Sequence, residues 1–430
     1  MVKRLQLRDA DFEARFAALL QTRRAEASDV APVVREIISR VKREGDSALV
    51  ALTQQFDRVV LSPKTLRFSA EEITQAVASC DPLIHRALRH AADRIRAYHE
   101  RQLPADAQWK DESGTLLGWR WQPLASAGLY VPGGKASYPS SVLMNAIPAS
   151  VAGVERMVMV VPTPDGVVNP AIIAAAQMAG VHEIYRIGGA QAVAALAYGT
   201  ETLAPVVKIV GPGNAYVAEA KRQVFGQVGI DTMAGPSEIL VVADARNEPP
   251  AMAADLLSQA EHDEDAQAIL ITTDSGFAQA VAEEIDALLT MLPRADIARA
   301  SWEKHGAIIL VDRLVEALPL IARIAPEHLE LAIEQPEEFA HHVRHAGAIF
   351  LGRHTPEAIG DYIAGPSHVL PTSGAASFAS GLNVLDFMRR TSLIGCTHAS
   401  VQSLIADAAT LADCEGLPAH ALSLRTRRQG

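Results

Sequence analysis

The sequence predicts an α/β protein with two parallel β-sheets, preceded by a helical region and followed by an extended C-terminal segment. From about residue 125 to residue 375, short apolar runs alternate with Ala-rich segments of helical spacing. Such alternation is typical of parallel sheets whose strands are joined by right-handed helical crossovers. The hydrophobic fraction is 49% and the aromatic fraction only 5%, which indicates an aliphatic core and no tendency to disorder.

The length of 430 residues exceeds one ordinary domain, and the patterns divide the chain into four parts. A capping box at 69–72 opens a long amphipathic helical segment, and Trp119 and Trp121 alternate in a probable strand at 114–124. Two series of buried strands follow, at 158–161, 184–187 and 206–210, and then at 239–242, 268–272, 307–311 and 348–351. The predicted parts are a helical region with an entry strand (1–124), a first α/β domain (125–235), a second α/β domain (236–380) and a C-terminal segment (381–430).

Composition excludes several classes of partner. The formal net charge of −11 argues against binding of nucleic acid through its phosphates. No apolar run approaches the roughly 20 residues that span a bilayer, and the N-terminus lacks the apolar stretch of a secretory signal. Cys80, Cys396 and Cys414 form no C-x-x-C pair, which favours a reducing compartment. We therefore expect a soluble cytoplasmic enzyme of small molecules.

Three glycine-rich loops, at 128–135, 188–191 and 211–214, follow predicted strands and precede helices. Helix N-termini at such positions can hold anions. Neither standard nucleotide fingerprint fits, because Ala136 follows the lysine of the first loop and Tyr216 stands where a third glycine is required. The glycines could simply close tight turns, but three such loops in one sheet favour an anionic or nucleotide ligand. The units are thus predicted to be incomplete, non-standard Rossmann-like domains.

Candidate chemical groups lie near other predicted strand ends. Gln259 and His262 would share one helix face if the helix continued to His262, and an amide oxygen with an imidazole can bind a metal. Alone, such a pair is more often two solvated side chains. Glu327 and His328 form an adjacent carboxylate–imidazole pair. Such pairs are usually surface residues without a function, but this one lies among Gly/Pro-bounded loops at strand ends, which favours a functional role. Other polar groups in similar surroundings are Ser237, Asp361, His368, Glu415 and His420.

Taken together, these motifs resemble the histidinol dehydrogenase family. They run in unbroken order from about Tyr130 to His420, and the N-terminal helical region is compatible with the same family. The motifs are the loops at 128–135, 188–191 and 211–214, and the stretches Gly235-Pro236-Ser237-Glu238, 258–262, 326–330 and 415–420. The resemblance implies NAD-dependent oxidation of L-histidinol through L-histidinaldehyde to L-histidine, in two hydride steps at the end of histidine biosynthesis. The missing dinucleotide fingerprint is what this family implies.

The resemblance also implies roles for particular residues. One zinc ion per subunit, which is not a redox centre, would orient the substrate, with His328 as general base and Glu327 activating water. His368 would lie beside these groups. The implied zinc ligands are Gln259, His262, Asp361 and His420. The implied substrate contacts are Ser237, Glu415, His328 and the zinc ligands. The implied NAD contacts are Tyr130, Gln191 and Asn214.

The resemblance finally implies a homodimer in which the C-terminal segment crosses to the partner, so that His420 and Glu415 complete the neighbouring site.

Two other function classes fit parts of the sequence. A zinc hydrolase would use Glu327 to activate a metal-bound water but would leave the glycine loops unexplained. A non-catalytic metal or small-molecule binding protein would tolerate replacement of Glu327 and His328. A thiol route through Cys414 is disfavoured, because no base is paired with it and a small core residue is the more common role.

Overall fold

The computed structural model of the chain describes residues 2–22, 30–133, 138–232 and 235–428. Residues 134–137, which include the Gly134-Lys135 step of the first glycine loop, lie outside the described residues. The described strands are β1 (Lys3–Gln6), β2 (Ala107–Lys110), β3 (Leu116–Pro123), β4 (Ser126–Tyr130), β5 (Arg156–Val160), β6 (Glu183–Tyr185), β7 (Lys208–Val210), β8 (Gly229–Ile230), β9 (Glu238–Ala243), β10 (Gln267–Thr272), β11 (Ala307–Leu310), β12 (His328–Ala332), β13 (Ala348–Leu351) and β14 (Met388–Gly395).

The helices cover both faces of the sheets or form terminal extensions. They are α1 (Phe12–Thr22), α2 (Ala31–Glu44), α3 (Asp46–Asp57), α4 (Ala70–Ala78), α5 (Pro82–Glu100), α6 (Pro139–Ala152), α7 (Pro170–Met178), α8 (Gly189–Tyr198), α9 (Ala215–Val224), α10 (Pro249–Ala260), α11 (Ser275–Leu288), α12 (Ala295–His305), α13 (Ala317–Ile324), α14 (Pro336–Ala340), α15 (Glu357–Tyr362), α16 (His398–Cys414) and α17 (Pro418–Arg425). The predicted capping box forms at Ser69, whose hydroxyl accepts from the Glu72 N–H. No described helix has the length and apolar character required to span a membrane.

The first sheet has the strand order β6-β5-β4-β7-β8, and all its pairs are parallel. The order reverses between β4 and β7, so the loops after these two strands flank a topological switch point. Successive residues of β5 point to opposite faces: Met157 and Met159 enter one apolar core, and Val158 and Val160 enter the other. Helices α5, α6 and α7 line the first core, whereas α2, α8 and α9 line the second.

The second sheet repeats this order in β11-β10-β9-β12-β13, and β1 adds a parallel edge strand beside β11. The predicted α/β class with two parallel sheets is thus confirmed. The prediction that the first hundred residues are helical is wrong at β1. In this strand only Leu5 is buried, so no apolar run announces it.

Strand β12 lies between β9 and β13 and was not predicted. Its five residues are all buried, but His328 and Glu330 interrupt the apolar pattern from which a buried strand is predicted. Leu329 and Leu331 enter an apolar core on one face, which leaves the two ionisable side chains on the other. This strand therefore carries candidate catalytic groups directly into the second sheet.

The predicted entry strand forms β3, which lies between β2 and β14 in a small antiparallel sheet. Strand β14 belongs to the segment after residue 381 and brings it back across the N-terminal region. The chain then continues into α16 and α17, which form a helical hairpin. The division into parts at residues 125, 236 and 381 stays a prediction, since N-terminal elements share the layers of both parallel sheets.

Candidate active site

Ionisable side chains gather where the amino edge of the second sheet meets the first sheet. Glu238 begins β9 and His328 begins β12, and these strands are neighbours in the sheet. From the first sheet, Ser141 near the start of α6 places its Oγ 3.1 Å from Nε2 of His368. The site thus lies between the carboxyl edge of one sheet and the amino edge of the other.

His328 is buried and held in one orientation by its neighbour strand. Its Nδ1 lies 3.0 Å from the Glu238 carbonyl oxygen. In the neutral ring Nδ1 therefore carries the proton and donates, which leaves the lone pair on Nε2. Nε2 has no hydrogen-bond partner among the described residues. Burial lowers the pKa of His328, and the charge of Glu357 opposes this shift. The arrangement provides a neutral imidazole with an available basic nitrogen.

Glu327, like His328, is hydrogen-bonded to the backbone of Glu238, but through the N–H group instead of the carbonyl. Its Oε2 accepts a hydrogen bond of 2.9 Å from the Glu238 N–H. Burial raises the pKa of Glu327 well above its usual range, and the nearby carboxylates of Glu238, Asp361 and Glu357 add to this effect. The first residue of β9 thus fixes both members of the Glu327–His328 pair, one through its N–H and the other through its carbonyl.

Two carboxylates of α15 face the His328 ring. Nε2 lies 3.6 Å from Oε1 of Glu357 and 3.8 Å from Oδ1 of Asp361. Burial and the charge of Glu357 raise the pKa of Asp361 to about 8. Ligand atoms of the three residues lie within 4.8 Å of one another, a group that could hold a metal ion. Negative charges this close favour a bound cation or a shared proton.

Glu357 was missed by the sequence analysis. Its spacing of four residues from Asp361 places both on one side of a helix, and this signal could have identified it.

A second pair of carboxyl groups is close enough to Glu357 to feel its charge. Glu330 of β12 shares a hydrogen bond with Asp255 of α10. Burial and the neighbouring carboxylate raise the pKa of Glu330 to about 9, and burial raises that of Asp255 to about 6.

Gln259 has a buried amide that lacks partners. Neither its Oε1 nor its Nε2 has a hydrogen bond among the described residues, although only 1% of the residue is exposed. Leaving a buried amide unpaired costs on the order of 1–3 kcal/mol, so this group points to a ligand. The adjacent Ser258 donates from Oγ to Oε2 of Glu357 at 3.2 Å, which brings α10 beside α15.

A shared helix face for Gln259 and His262 was expected only if the helix continued to His262, and this condition is not met, because α10 ends at Ala260. A turn follows, in which the His262 N–H donates to the Gln259 carbonyl at 3.1 Å. The side chain of His262 is exposed in the single chain. Partial desolvation lowers the pKa of His262, and the charge of Glu357 opposes the shift. His262 is therefore within electrostatic reach of the acidic group.

The other residues expected at the site fall into two groups. His368 is close, because its Nδ1 lies 2.9 Å from the Asp361 carbonyl oxygen, and burial lowers its pKa to about 4. Ser237 directly precedes Glu238 at the start of β9. Glu415 and His420, in contrast, are exposed in the C-terminal hairpin. The described side-chain hydrogen bonds of residues 397–428 stay within that segment. None of these described bonds joins Glu415 or His420 to the acidic group around His328.

The residues expected to contact NAD lie at the carboxyl edge of the first sheet. Tyr130 ends β4, and its hydroxyl accepts from the Gly189 N–H at 3.0 Å, while burial raises its pKa to about 12. Gln191 is buried in the first turn of α8. Asn214 caps α9 through Oδ1, which accepts from the N–H groups of Tyr216 and Val217 at 3.1 Å each. Tyr130 and Asn214 therefore each have a structural role at this edge, since they bind the first residues of α8 and α9.

Cys414 is exposed on α16, so its interpretation as a small core residue is wrong. Like its neighbour Glu415, it belongs to a hairpin whose described polar contacts are internal. The hydrogen bonds and ion pairs of the described residues place no base on the Cys414 thiol.

Comparisons with known proteins cover nearly the whole chain. A family model described as histidinol dehydrogenase matches residues 20–428. The histidinol dehydrogenase of Rhodospirillum rubrum is 60% identical over 428 residues and covers 99% of each chain. That of Ruegeria pomeroyi is 59% identical over 423 residues and covers 98% of each. The crystal structure of histidinol dehydrogenase from Elizabethkingia anophelis aligns with a TM-score of 0.94 and 35% identity, over 99% of this chain and 98% of that one. The chain therefore belongs to the histidinol dehydrogenase family.

Proposed function

We propose that the chain oxidises L-histidinol through L-histidinaldehyde to L-histidine and consumes two NAD⁺. The observation that carries this proposal is the pair formed by Glu327 and His328. Both are buried and anchored to the Glu238 peptide, and Nε2 of His328 is free of hydrogen bonds to described residues. A base and a second carboxylate in one buried site suit two successive proton removals. In each oxidation, NAD⁺ supplies the acceptor for one hydride.

Zinc fits the donor groups of this site. The unpaired buried amide of Gln259 and the carboxyl of Asp361, whose pKa burial raises to about 8, both gain from a nearby cation. Together with His262 they would give three oxygen and imidazole ligands, and His420 of a second chain would be the fourth. When bound, zinc would hold the substrate in a fixed orientation and stabilise negative charge on its oxygen. Glu357 lies close enough to the same group to adjust its charge or to bind directly.

His328 would remove the alcohol proton as the hydride leaves the carbinol carbon. Nε2 is the basic atom, because Nδ1 is occupied by the Glu238 carbonyl. Burial keeps the ring neutral by lowering its pKa. A neutral base that is ready to accept a proton near neutral pH is the form this step requires.

Glu327 would activate the water that converts the aldehyde to its hydrate before the second oxidation. Oε2 is held by the Glu238 N–H, which leaves Oε1 to accept a proton from water. The carboxylate must be ionised for this role, whereas burial raises its pKa. Positive charge bound beside Asp361 would lower the pKa of Glu327 and favour the ionised form.

NAD⁺ would bind at the carboxyl edge of the first sheet, in contact with Tyr130, Gln191 and Asn214. The loops after β4 and β7 flank the switch point, where parallel sheets commonly bind nucleotides. Gly211, in the loop after β7, lies so close to the backbone of Tyr130 that an added Cβ would collide with the Tyr130 carbonyl oxygen. Such loops allow backbone amides to contact a pyrophosphate.

A homodimer with shared active sites would complete the site. Glu415 and His420 are exposed in a single chain and have no described hydrogen bond to the site, so a second chain would supply Glu415 for the substrate ammonium and His420 for the metal. Apolar residues of the hairpin support an interface, since Leu411 is 65% exposed and Leu422 61% exposed. Exposed apolar surface of this kind commonly marks a protein–protein contact.

The proposal is tested by following NADH formation with L-histidinol before and after chelation of metal. We expect NADH formation that is lost on chelation and regained with Zn²⁺. A metal-loaded protein that forms no NADH would contradict the proposal and favour the zinc hydrolase.

Hybrid dimers test the shared site separately. An E327Q/H328Q chain mixed with an H420N chain should recover part of the activity, because one site of the hybrid dimer then has every proposed residue. No recovery after verified subunit exchange would contradict shared sites.

A further inference from the structure

A buried ion pair holds the loop that joins β7 to α9. Lys221, in the second turn of α9, reaches back and forms an ion pair with Asp231, which follows β8. The two side chains are only 3% and 5% exposed. The pair lies in the first sheet and takes no part in the acidic group around His328.

Both partners bind the same glycine. Oδ2 of Asp231 accepts a hydrogen bond of 2.7 Å from the Gly211 N–H, and Nζ of Lys221 donates to the Gly211 carbonyl at 3.0 Å. Nζ also lies 3.4 Å from the carbonyl oxygen of Thr232. Two successive peptide groups of the loop are therefore fixed by side chains that are themselves bound to each other.

Gly211 has a conformation that needs such support. Its φ of +115° lies in a region that other residues rarely adopt, and its backbone lies directly against the end of β4 at Tyr130. At the other end of the loop, Asn214 caps α9 with its side-chain oxygen. The loop is thus anchored on both sides, and its backbone lies at the switch point of the first sheet.

Stability alone does not explain this pair. Removing two charges from water costs about as much free energy as their attraction returns, so a buried ion pair is weak evidence for a stabilising role. The hydrogen bonds that both partners share with the Gly211 backbone indicate that the pair fixes the position of the loop instead. A loop that is already fixed loses little further freedom when a ligand binds, and this raises the affinity.

We infer that Lys221 and Asp231 are positioning residues that fix the Gly211–Asn214 loop for binding of NAD⁺. This inference rests on the proposed function, in which NAD⁺ binds at that loop. It assigns a role to two residues that would contact neither the nicotinamide nor the metal. They act through the loop, so their replacement should affect cofactor affinity and leave the oxidation steps unchanged.

The test is the K221M variant, studied as the full-length enzyme with metal bound. We expect the KM for NAD⁺ to rise about tenfold, a change typical of losing one or two positioning hydrogen bonds. The kcat and the KM for L-histidinol should stay within about twofold of wild type. Because K221M leaves Asp231 without its partner, the double variant K221M/D231L provides a second measurement without an unpaired charge. It should show the same rise in the KM for NAD⁺.

The matched control is R156M. Arg156 forms an ion pair with Glu183 at 3.1 Å and donates to the carbonyls of Ala204 and Pro205 at 2.9 and 3.0 Å, at the amino edge of the same sheet. Its loss removes a similar set of bonds far from the loop, so the KM for NAD⁺ should stay within about twofold of wild type.

Three results would overturn the inference. The first is a KM for NAD⁺ within twofold of wild type in folded K221M and K221M/D231L. The second is an equal rise in R156M, which would indicate general loosening of the sheet. The third is loss of folding in both Lys221 variants, which would make the pair a folding element. A wild-type enzyme that neither binds nor reduces NAD⁺ would instead refute the proposed function itself, and circular dichroism separates these cases.

Discussion

The two parallel sheets share one strand order but present opposite edges to the site. The first sheet offers its carboxyl edge, where glycine loops and the uncharged side chains of Tyr130 and Asn214 lie. The second offers its amino edge, where Glu327, His328 and the α15 carboxylates are buried together. The same topology therefore supports two kinds of chemistry. Small residues let a backbone approach a ligand, whereas buried ionisable groups have shifted pKa values and can move protons.

The two edges also differ in what holds them together. At the first edge, the side chains of Tyr130, Asn214 and Asp231 accept hydrogen bonds from backbone N–H groups of the Gly211 loop and of the first turns of α8 and α9, and so fix the backbone. At the second, Gln259, His328 and Glu357 have buried polar atoms without partners among the described residues. Such atoms carry a free-energy cost that a bound metal and substrate can remove. As a member of the histidinol dehydrogenase family, the chain is an oxidoreductase that acts on an alcohol and an aldehyde.

The largest expected effect separates proton transfer at the second edge from cofactor binding at the first. In H328Q, kcat should fall about 10²–10⁴-fold, because Nε2 is replaced by an amide that cannot accept the proton. The affinity for NAD⁺, measured by calorimetry, should stay within about twofold of wild type. A loss of kcat smaller than tenfold would contradict the role of His328 as base.

Replacing Glu327 should slow the second oxidation step much more than the first. In E327Q, oxidation of L-histidinaldehyde should fall about 10²-fold, because the amide cannot activate water, while oxidation of L-histidinol should fall much less. The Glu238 N–H can still donate to the amide oxygen, so the local structure should be retained. The measurement is the rate of each half-reaction with its own substrate. Equal losses in both would contradict this separation of roles.

Glu357 tests whether the second edge binds the metal as a group. In E357Q, the affinity for zinc should fall about 10–100-fold, because a carboxylate beside Asp361 is lost. Competition with a chromophoric chelator measures this affinity directly. The matched control is E337Q, which removes a charge from an exposed position on α14. Equal zinc affinities in the two variants would exclude Glu357 from the metal group.

The smallest expected effect concerns the first edge. In G211A, the KM for NAD⁺ should rise about tenfold, because the new Cβ collides with the Tyr130 carbonyl and the φ of +115° is strained. The control G226A has a similar φ of +98°, but its Cβ meets nothing within 4 Å. Steady-state kinetics at saturating L-histidinol compare the two variants. Similar KM values in both would mean that close approach at Gly211 does not matter for the cofactor.

Much of the fold follows from local patterns in the sequence. The continuous apolar runs of β9 and β10 identified buried strands, and Ser69 identified a helix start, because burial and capping depend on few neighbours. Strand β12 could not be predicted in this way. Its ionisable residues His328 and Glu330 interrupt the apolar run, and both have polar partners that are distant in sequence, the Glu238 carbonyl and the Asp255 side chain.

The site was predictable to the extent that its motifs are contiguous in sequence. The Glu327–His328 pair was identified, whereas Glu357 was missed, because its spacing of four residues from Asp361 is informative only once that short segment is known to be helical. The end of α10 at Ala260 was left open, because the sequence allows the helix to continue to His262, where the structure has a turn instead. The roles proposed for Glu415 and His420 require a second chain, which no pattern within one sequence describes.

The most direct test of the central claim is the amount of NADH formed per L-histidinol consumed by the metal-loaded enzyme. The account predicts two NADH per substrate, with L-histidine as the product and no accumulation of aldehyde. One NADH with accumulated L-histidinaldehyde would contradict it. Such a result would leave an alcohol dehydrogenase, and the second oxidation assigned to Glu327 would be wrong.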